Sequence, residues 1–152
     1  MTSQQVELVQ SSFRLVQPVL ESAAATFYER LFDLDPSLRS LFRTTREHQA
    51  RMLAVALTSV VTSLGHPDRI KDAVEALGRR HVGYGVRDEH YTTVGAALLW
   101  TLEAGLGDAF TPETREAWAA AYGWLAFTMQ RAAAVSAHAD TTTLRWAATT
   151  CA

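Results

Sequence analysis

The sequence predicts an all-α domain, and two observations carry that prediction. Apolar residues recur at spacings of three and four along most of the chain, which is typical of helices that bury one face. No segment shows the strict alternation of apolar and polar residues that marks a half-buried strand. Residues 55–61 are rich in β-branched side chains, but they continue a longer helical pattern, so the length of the pattern favours a helix.

Proline and capping residues divide the first half of the chain into four predicted helices. The first carries apolar residues on one side, and Pro18 opens the second, because proline is tolerated in a first helical turn. Asp35 and Pro36 form a cap and a helix start, and the polar corner from Arg43 to His48 separates the third helix from the fourth. The predicted ranges are 5–17, 18–34, 35–42 and 47–64.

The second half of the chain predicts three more helices. Residues 65–68 read as a break, and Gly85 stands where a left-handed glycine commonly ends a helix. Asp88 is placed to cap the sixth helix, and Thr111 with Pro112 caps the seventh. The predicted ranges are 69–84, 89–106 and 111 to at least 131.

Composition limits the class of protein. The chain has 152 residues, is 48% hydrophobic and has a formal net charge of −2, which suits one globular domain and disfavours nucleic acid or a membrane as partner. We expect a domain over residues 1–133 and an Ala/Thr-rich tail over 134–152 that extends the last helix or is flexible. Cys151 is the single cysteine, so no internal disulfide forms. The polar start and the short apolar runs predict a cytoplasmic protein.

Cofactor motifs add a further limit. No glycine-rich nucleotide loop is present, and the chain is too short to add a nucleotide-binding domain to the predicted one. Any electrons for redox chemistry would therefore come from a separate protein.

His81 is a polar residue on an apolar stripe. It follows Ile70, Val74 and Leu77 at helical spacing and precedes Tyr84. His81 therefore lies on the same side of the helix as Leu77 and faces the core. A core histidine bonded to a backbone carbonyl is one interpretation. A metal ligand is the other, because a neutral imidazole binds iron through one nitrogen and donates its other N–H.

Two further helices also carry a polar residue on their apolar stripe. In the fourth helix, the spacing of the leucines predicts that Gln49 faces inward and that its neighbour His48 does not. In the second helix, Tyr28 lies at the edge of the apolar face. Either residue alone is more often solvated than buried in a site. Together with His81 they indicate one pocket with an imidazole on one side and two hydrogen-bond donors from other helices.

Several motifs resemble one family. They are Thr26-Phe27-Tyr28-x-x-Leu31-Phe32, Pro36-x-x-Arg39-x-Leu41-Phe42, Gln49-x-x-x-Leu53, His81-x-x-Tyr84-Gly85-Val86-x-x-x-His90-Tyr91-x-x-Val94-Gly95 and Ala117-Trp118-x-x-Ala121-Tyr122. Over about residues 4–131 the chain resembles the globins, specifically the single-domain bacterial haemoglobins and the globin domains of flavohaemoglobins. The segment 81–95 is the most specific part, and the 32-residue interval from Gln49 to His81 suits this bacterial group.

The resemblance implies a globin fold of about seven helices around a haem pocket, without a separate D helix. It implies a haem b whose iron is bound by His81, with Tyr28, Gln49 and Leu53 over the ligand-binding face. The other residues that it implies as haem contacts are Phe42, Leu57, Arg80, Val86, Tyr91 and Val94. Either Arg79 or Arg80 would meet a haem propionate, or both would be solvated.

One position departs from the flavohaemoglobin pattern, in which a tyrosine and a glutamate polarise the proximal histidine. Tyr91 matches the tyrosine, but Ala133 stands near the glutamate position, and no acid lies between Arg131 and Ala139. A missing carboxylate disfavours peroxidase-like chemistry and favours reversible ligand binding.

The resemblance implies a protein that binds oxygen, nitric oxide or carbon monoxide at a pentacoordinate iron, for oxygen storage, delivery or scavenging. A nitric oxide dioxygenase that uses a separate reductase is the alternative, and a haem-based sensor or interaction module is a third. His48 remains a minor candidate for a second iron ligand. The oligomeric state stays open.

Overall fold

The computed structural model describes residues 1–150, with side chains for residues 1–135. The described chain is built from α-helices and short 3₁₀ turns, and no strand occurs in it. The α-helices are α1 (Ser3–Val16), α2 (Leu20–Leu34), α3 (Arg46–Thr62), α4 (Lys71–Gly83), α5 (Asp88–Leu106) and α6 (Pro112–Thr150). The 3₁₀ turns are Gln17–Val19, Pro36–Leu41, Pro67–Arg69 and Gly107–Ala109. The all-α prediction is confirmed.

The third predicted helix is present as a short 3₁₀ helix over Pro36–Leu41. The Asp35 side chain accepts hydrogen bonds from the N–H and the hydroxyl of Ser37, which caps this turn at its start. The turn ends at Leu41, and helix α3 begins at Arg46, where the Thr45 hydroxyl accepts the His48 N–H. No helix lies between Leu41 and Arg46.

Helix α6 is longer than the minimum that the sequence predicts. It continues past Arg131 to Thr150 without a break at the boundary predicted at residue 133. Trp146 lies beyond the part of the chain whose side chains are described, and Cys151 lies outside the described residues altogether.

The largest apolar core lies between α1, α5 and α6. Val9, Phe13 and Trp118 are almost fully buried there. The indole N–H of Trp118 donates to the Ser12 hydroxyl at 2.9 Å, and that hydroxyl donates to the Leu8 carbonyl, so the buried polar atoms are satisfied.

A second core joins α2 to α5 and to the turn after α2. Its buried members are Phe27, Tyr28, Leu31, Phe32, Leu38 and Ala97. A third cluster joins α4 to α6 through Ile70, Val74 and Met129. The second core and the end of α4 hold the residues that the sequence singles out.

Two glycines allow close helix contacts beside these residues. A β-carbon on Gly78 would lie 2.4 Å from the Met129 carbonyl oxygen, and one on Gly95 would lie 2.7 Å from the Tyr122 ring. Both distances are below any normal contact, so α4 packs on α6, and α5 on Tyr122, at separations that only glycine permits. In the described part of the chain, no helix combines the length and apolar character that crossing a membrane requires.

Candidate functional site

His81 lies in the last turn of α4, at a helix end whose backbone is fixed. Gly85 has φ +85°, and the N–H groups of Gly85 and Val86 donate to the carbonyls of Val82 and His81 at 3.0 and 3.1 Å. This is the paired hydrogen-bond pattern of a glycine-terminated helix, as the sequence predicted at Gly85. The backbone of His81 is therefore held on both sides of the corner.

The ring of His81 has one engaged nitrogen and one free nitrogen. Nδ1 lies 2.8 Å from the Leu77 carbonyl oxygen, which can only accept, so Nδ1 carries the proton and donates it. Nε2 then holds a lone pair. Burial lowers the pKa of His81, and the charge of Arg80 adds to this, so the ring is neutral at neutral pH. A neutral imidazole with a bare Nε2 is a metal-ligand form.

Tyr28 is buried among aromatic side chains on α2, with 6% of its surface exposed. Its ring contacts those of Phe27, Phe32 and Phe42, with the Phe42 centroid at 5.4 Å. The hydroxyl donates to the backbone carbonyl of Gln49 at 3.4 Å, which is a long and weak bond. Burial raises the pKa of Tyr28 to about 12, so the hydroxyl keeps its proton as a donor.

Gln49 is half-buried at the start of α3, and His48 beside it is exposed, as the leucine period predicted. The Gln49 side-chain amide does not meet Tyr28. Its Nε2 donates to the hydroxyl of Thr44, two residues before the helix begins. Sequence reasoning missed Thr44, because nothing in a polar corner distinguishes one threonine from the next.

An apolar wall connects these elements. Leu41, Phe42, Leu53, Val94 and Leu98 are half-buried and pack against the second core, which contains Tyr28. A β-carbon on Gly85 would lie 3.3 Å from the Leu41 side chain, so the corner after His81 lies close to the turn that leads to Phe42. The wall therefore borders both the Tyr28 cluster and the end of the His81 helix.

Two further residues that the resemblance implies as haem contacts pack against other clusters. Leu57 packs against the first core and not with Leu53, because α3 has by then crossed towards α1, where Gln10 bonds the Val61 carbonyl. Tyr91 packs against the third cluster, and its hydroxyl is not the acceptor of the His81 N–H. The backbone carbonyl of Leu77 has that role instead.

Of the remaining residues predicted to contact haem, one lies in the corner after His81 and the others lie on the surface. Val86 is half-buried and bonded to His81 through the backbone, whereas Arg79 and Arg80 are both exposed. His90 is 6% exposed, and its Nδ1 accepts the Arg87 N–H at 2.9 Å, which gives it the structural role that the sequence suggested.

A crevice of about 470 Å³ lies where the resemblance expects a glutamate. Ala133 lines it together with Val82, which follows His81 in the chain. The acid that lines this crevice is Asp88, which accepts a 3.5 Å hydrogen bond from the Gln130 amide. Within the described side chains, the imidazole is thus bonded to a carbonyl and not to a carboxylate.

Comparison with known proteins gives the family. The globin family model matches residues 25–129. A flavohemoprotein of Rhodopirellula baltica is 36% identical over 124 residues, and one of Deinococcus radiodurans is 34% identical over 129 residues. These alignments cover 80% and 83% of this chain but only 30% and 32% of the relatives, so the chain spans about a third of their length.

Solved structures show the same architecture. A bacterial globin of Campylobacter jejuni has a TM-score of 0.80 at 24% identity, and the alignment covers 90% of this chain and 99% of that one. An engineered carbene transferase, itself a candidate nitric oxide dioxygenase from Rhodothermus marinus, has a TM-score of 0.83 at 30% identity and covers 93% of this chain and 99% of that one. The fold, the family model and the relatives agree: this chain belongs to the globin family.

Proposed function

We propose that this globin binds haem b through Nε2 of His81 and reversibly binds oxygen on the opposite face. The observation that supports it most is the state of His81, whose Nδ1–H is committed to the Leu77 carbonyl and whose Nε2 is bare and neutral. Haem, when bound, supplies an iron atom with one free coordination position for a diatomic ligand. Carbon monoxide and nitric oxide would use the same position.

The residues present fit that group. Haem is a flat and largely apolar molecule, and the wall of Leu41, Phe42, Leu53, Val94 and Leu98 offers apolar surface between the Tyr28 cluster and the corner after His81. Such a wall keeps water from the ligand and lowers the local dielectric, which strengthens any hydrogen bond made there. Arg79 and Arg80 are exposed near the end of α4, where a propionate has access to either.

Tyr28 is the residue that we assign to ligand retention. Its hydroxyl keeps its proton at physiological pH and is committed only to a weak contact with the Gln49 carbonyl. The hydroxyl would therefore be free to donate to a diatomic ligand that carries partial negative charge, and this hydrogen bond would slow the release of the ligand.

An absorption spectrum of the purified and reduced protein tests the proposal. We expect a haem spectrum that changes on addition of oxygen and returns when oxygen is removed. A colourless protein that takes up no added hemin would contradict the proposal. A coloured protein whose reduced absorption spectrum does not change on addition of oxygen or carbon monoxide would also contradict it.

Nitric oxide dioxygenation is the second candidate, and the flavohemoprotein relatives and the Rhodothermus neighbour favour it. Turnover needs a supply of electrons, and we infer a reductase as the electron donor because the relatives are flavohemoproteins. Repeated nitric oxide consumption with an added flavin reductase and NADH would support this candidate. Consumption that stops after one equivalent would leave oxygen binding as the function. The cytoplasmic location expected from the sequence stays a prediction.

A further inference from the structure

The side-chain amide of Gln49 is hydrogen-bonded to Thr44, a residue that no motif marks. Its Nε2 donates to the hydroxyl of Thr44, which is exposed and lies in the non-helical segment before α3. We propose that Thr44 is a positioning residue: it holds the Gln49 amide in a latched state, so that ligand retention depends on Tyr28 until the latch opens. This inference rests on the proposed function, since it concerns the ligand pocket of a haem-loaded protein.

The backbone around the latch is fixed independently of it. The hydroxyl of Thr45 accepts the His48 N–H at 3.2 Å, and the carbonyl of Thr45 accepts the Gln49 N–H at 3.0 Å. These bonds begin helix α3 and set where the Gln49 side chain starts. With the backbone fixed, the direction of the Gln49 amide depends only on its side-chain torsion angles. The hydrogen bond to the Thr44 hydroxyl favours one set of these angles.

The Tyr28 contact supports the same arrangement. The Tyr28 hydroxyl meets the backbone carbonyl of Gln49 and not its side-chain oxygen, so the two distal polar side chains are not bonded to each other. A turn of the amide towards the pocket would give up the Thr44 bond. That bond lies in an exposed position, where water competes, so its net contribution is small and the latch opens at modest cost.

The consequence is a specific pattern of oxygen dissociation rates. In the wild-type protein the amide contributes little, so Gln49→Leu should raise the rate by less than about threefold. Removal of the latch hydroxyl in Thr44→Val frees the amide to donate to the ligand, and we expect release to slow by about three- to tenfold. Thr44→Ser keeps the hydroxyl and should match the wild type.

The double variant Thr44→Val/Gln49→Leu distinguishes the latch from a general structural effect. With no amide to free, it should release oxygen at the rate of Gln49→Leu alone. Stopped-flow oxygen dissociation measures the rates, and the infrared stretching frequency of bound carbon monoxide reports the donor directly. We expect this frequency to fall in Thr44→Val and to return in the double variant. Thr44 is exposed, so urea unfolding should be unchanged by Thr44→Val.

Three results would overturn the latch. The first is a Thr44→Val protein that releases oxygen at the wild-type rate or faster. The second is a Gln49→Leu protein whose release is accelerated as strongly as that of Tyr28→Phe. The third is slow release in the double variant. If the variants carry haem and any of these results is found, the latch is wrong but the proposed function stands. If no variant shows a haem spectrum, the proposed function and the latch both fail.

Discussion

The α-carbon of Gly78 lies against the backbone of Met129 at a distance that leaves no space for a β-carbon. A β-carbon there would lie 2.4 Å from the Met129 carbonyl oxygen and 2.6 Å from its α-carbon. Backbone atoms of two packed helices cannot move aside as a flexible side chain can. Since His81 follows Gly78 by less than one turn, this contact sets the distance of the imidazole from α6.

Gly78→Ala should therefore destabilise the protein by about 1–3 kcal/mol, because the added methyl group separates α4 from α6. Gly83→Ala is the matched control, since it lies in the same helix and a β-carbon there meets nothing within 4 Å. The control should be neutral or stabilising by up to about 1 kcal/mol, because alanine favours helix more than glycine. Urea unfolding of both variants measures the difference, and equal stabilities would mean that α4 has room to shift.

His81→Ala should lose most of its haem. The bare Nε2 disappears with the ring, and only hydrophobic contacts remain to hold the cofactor. Haem content after gel filtration, measured against the exposed His66→Ala control, checks this. A variant that keeps a normal reduced spectrum would show that another group binds the iron, with His48 the first to test.

Tyr28→Phe should speed oxygen dissociation about ten- to hundredfold. The variant loses a hydrogen bond to an acceptor with partial negative charge, worth roughly 1.5–3 kcal/mol. The phenylalanine ring keeps the contacts with Phe27 and Phe42, so folding should change little. Stopped-flow mixing with carbon monoxide measures the rate, and an unchanged value would place the hydroxyl out of reach of the ligand.

Stability should fall as the pH rises from 10 towards 12, in part because of Tyr28. Burial raises the pKa of this phenol from 10 to about 12 and also raises that of Tyr122. In that window the unfolded chain has released protons that the folded chain still binds, so the free energy of unfolding decreases with pH. Tyr28→Phe should show a shallower decrease in stability than the wild type in urea titrations over this pH range. Equal slopes in the two proteins would mean that Tyr28 ionises no differently when folded.

The helix ends could be predicted because their causes are local. Asp35 before Pro36 caps a turn, and Gly85 ends α4 in the left-handed conformation, as each residue type favours on its own. The third element was predicted as a short helix, and the structure makes it a 3₁₀ helix of six residues. Such a short element has too few hydrogen bonds for the sequence to select between the α and the 3₁₀ form.

The inward side of a helix could be predicted, but the partners of its polar atoms could not. Leucine spacing separates Gln49 from His48, yet it says nothing of Thr44, whose bond depends on side-chain torsions. Leu57 carries the same period as Leu53 and still packs on another core, because the period of a single helix does not show which neighbour covers each turn. Tyr91 was placed by resemblance alone, and its packing against the third cluster depends on α6, far along the chain.

The glycine-ended corner after His81 lies close to the apolar wall. Val86 donates its N–H to the His81 carbonyl, and Gly85 lies so near Leu41 that a β-carbon on it would be 3.3 Å from the Leu41 side chain. A side chain at position 85 would be strained in this left-handed backbone and would also crowd Leu41. One substitution there would therefore disturb the support of the imidazole and the apolar wall together.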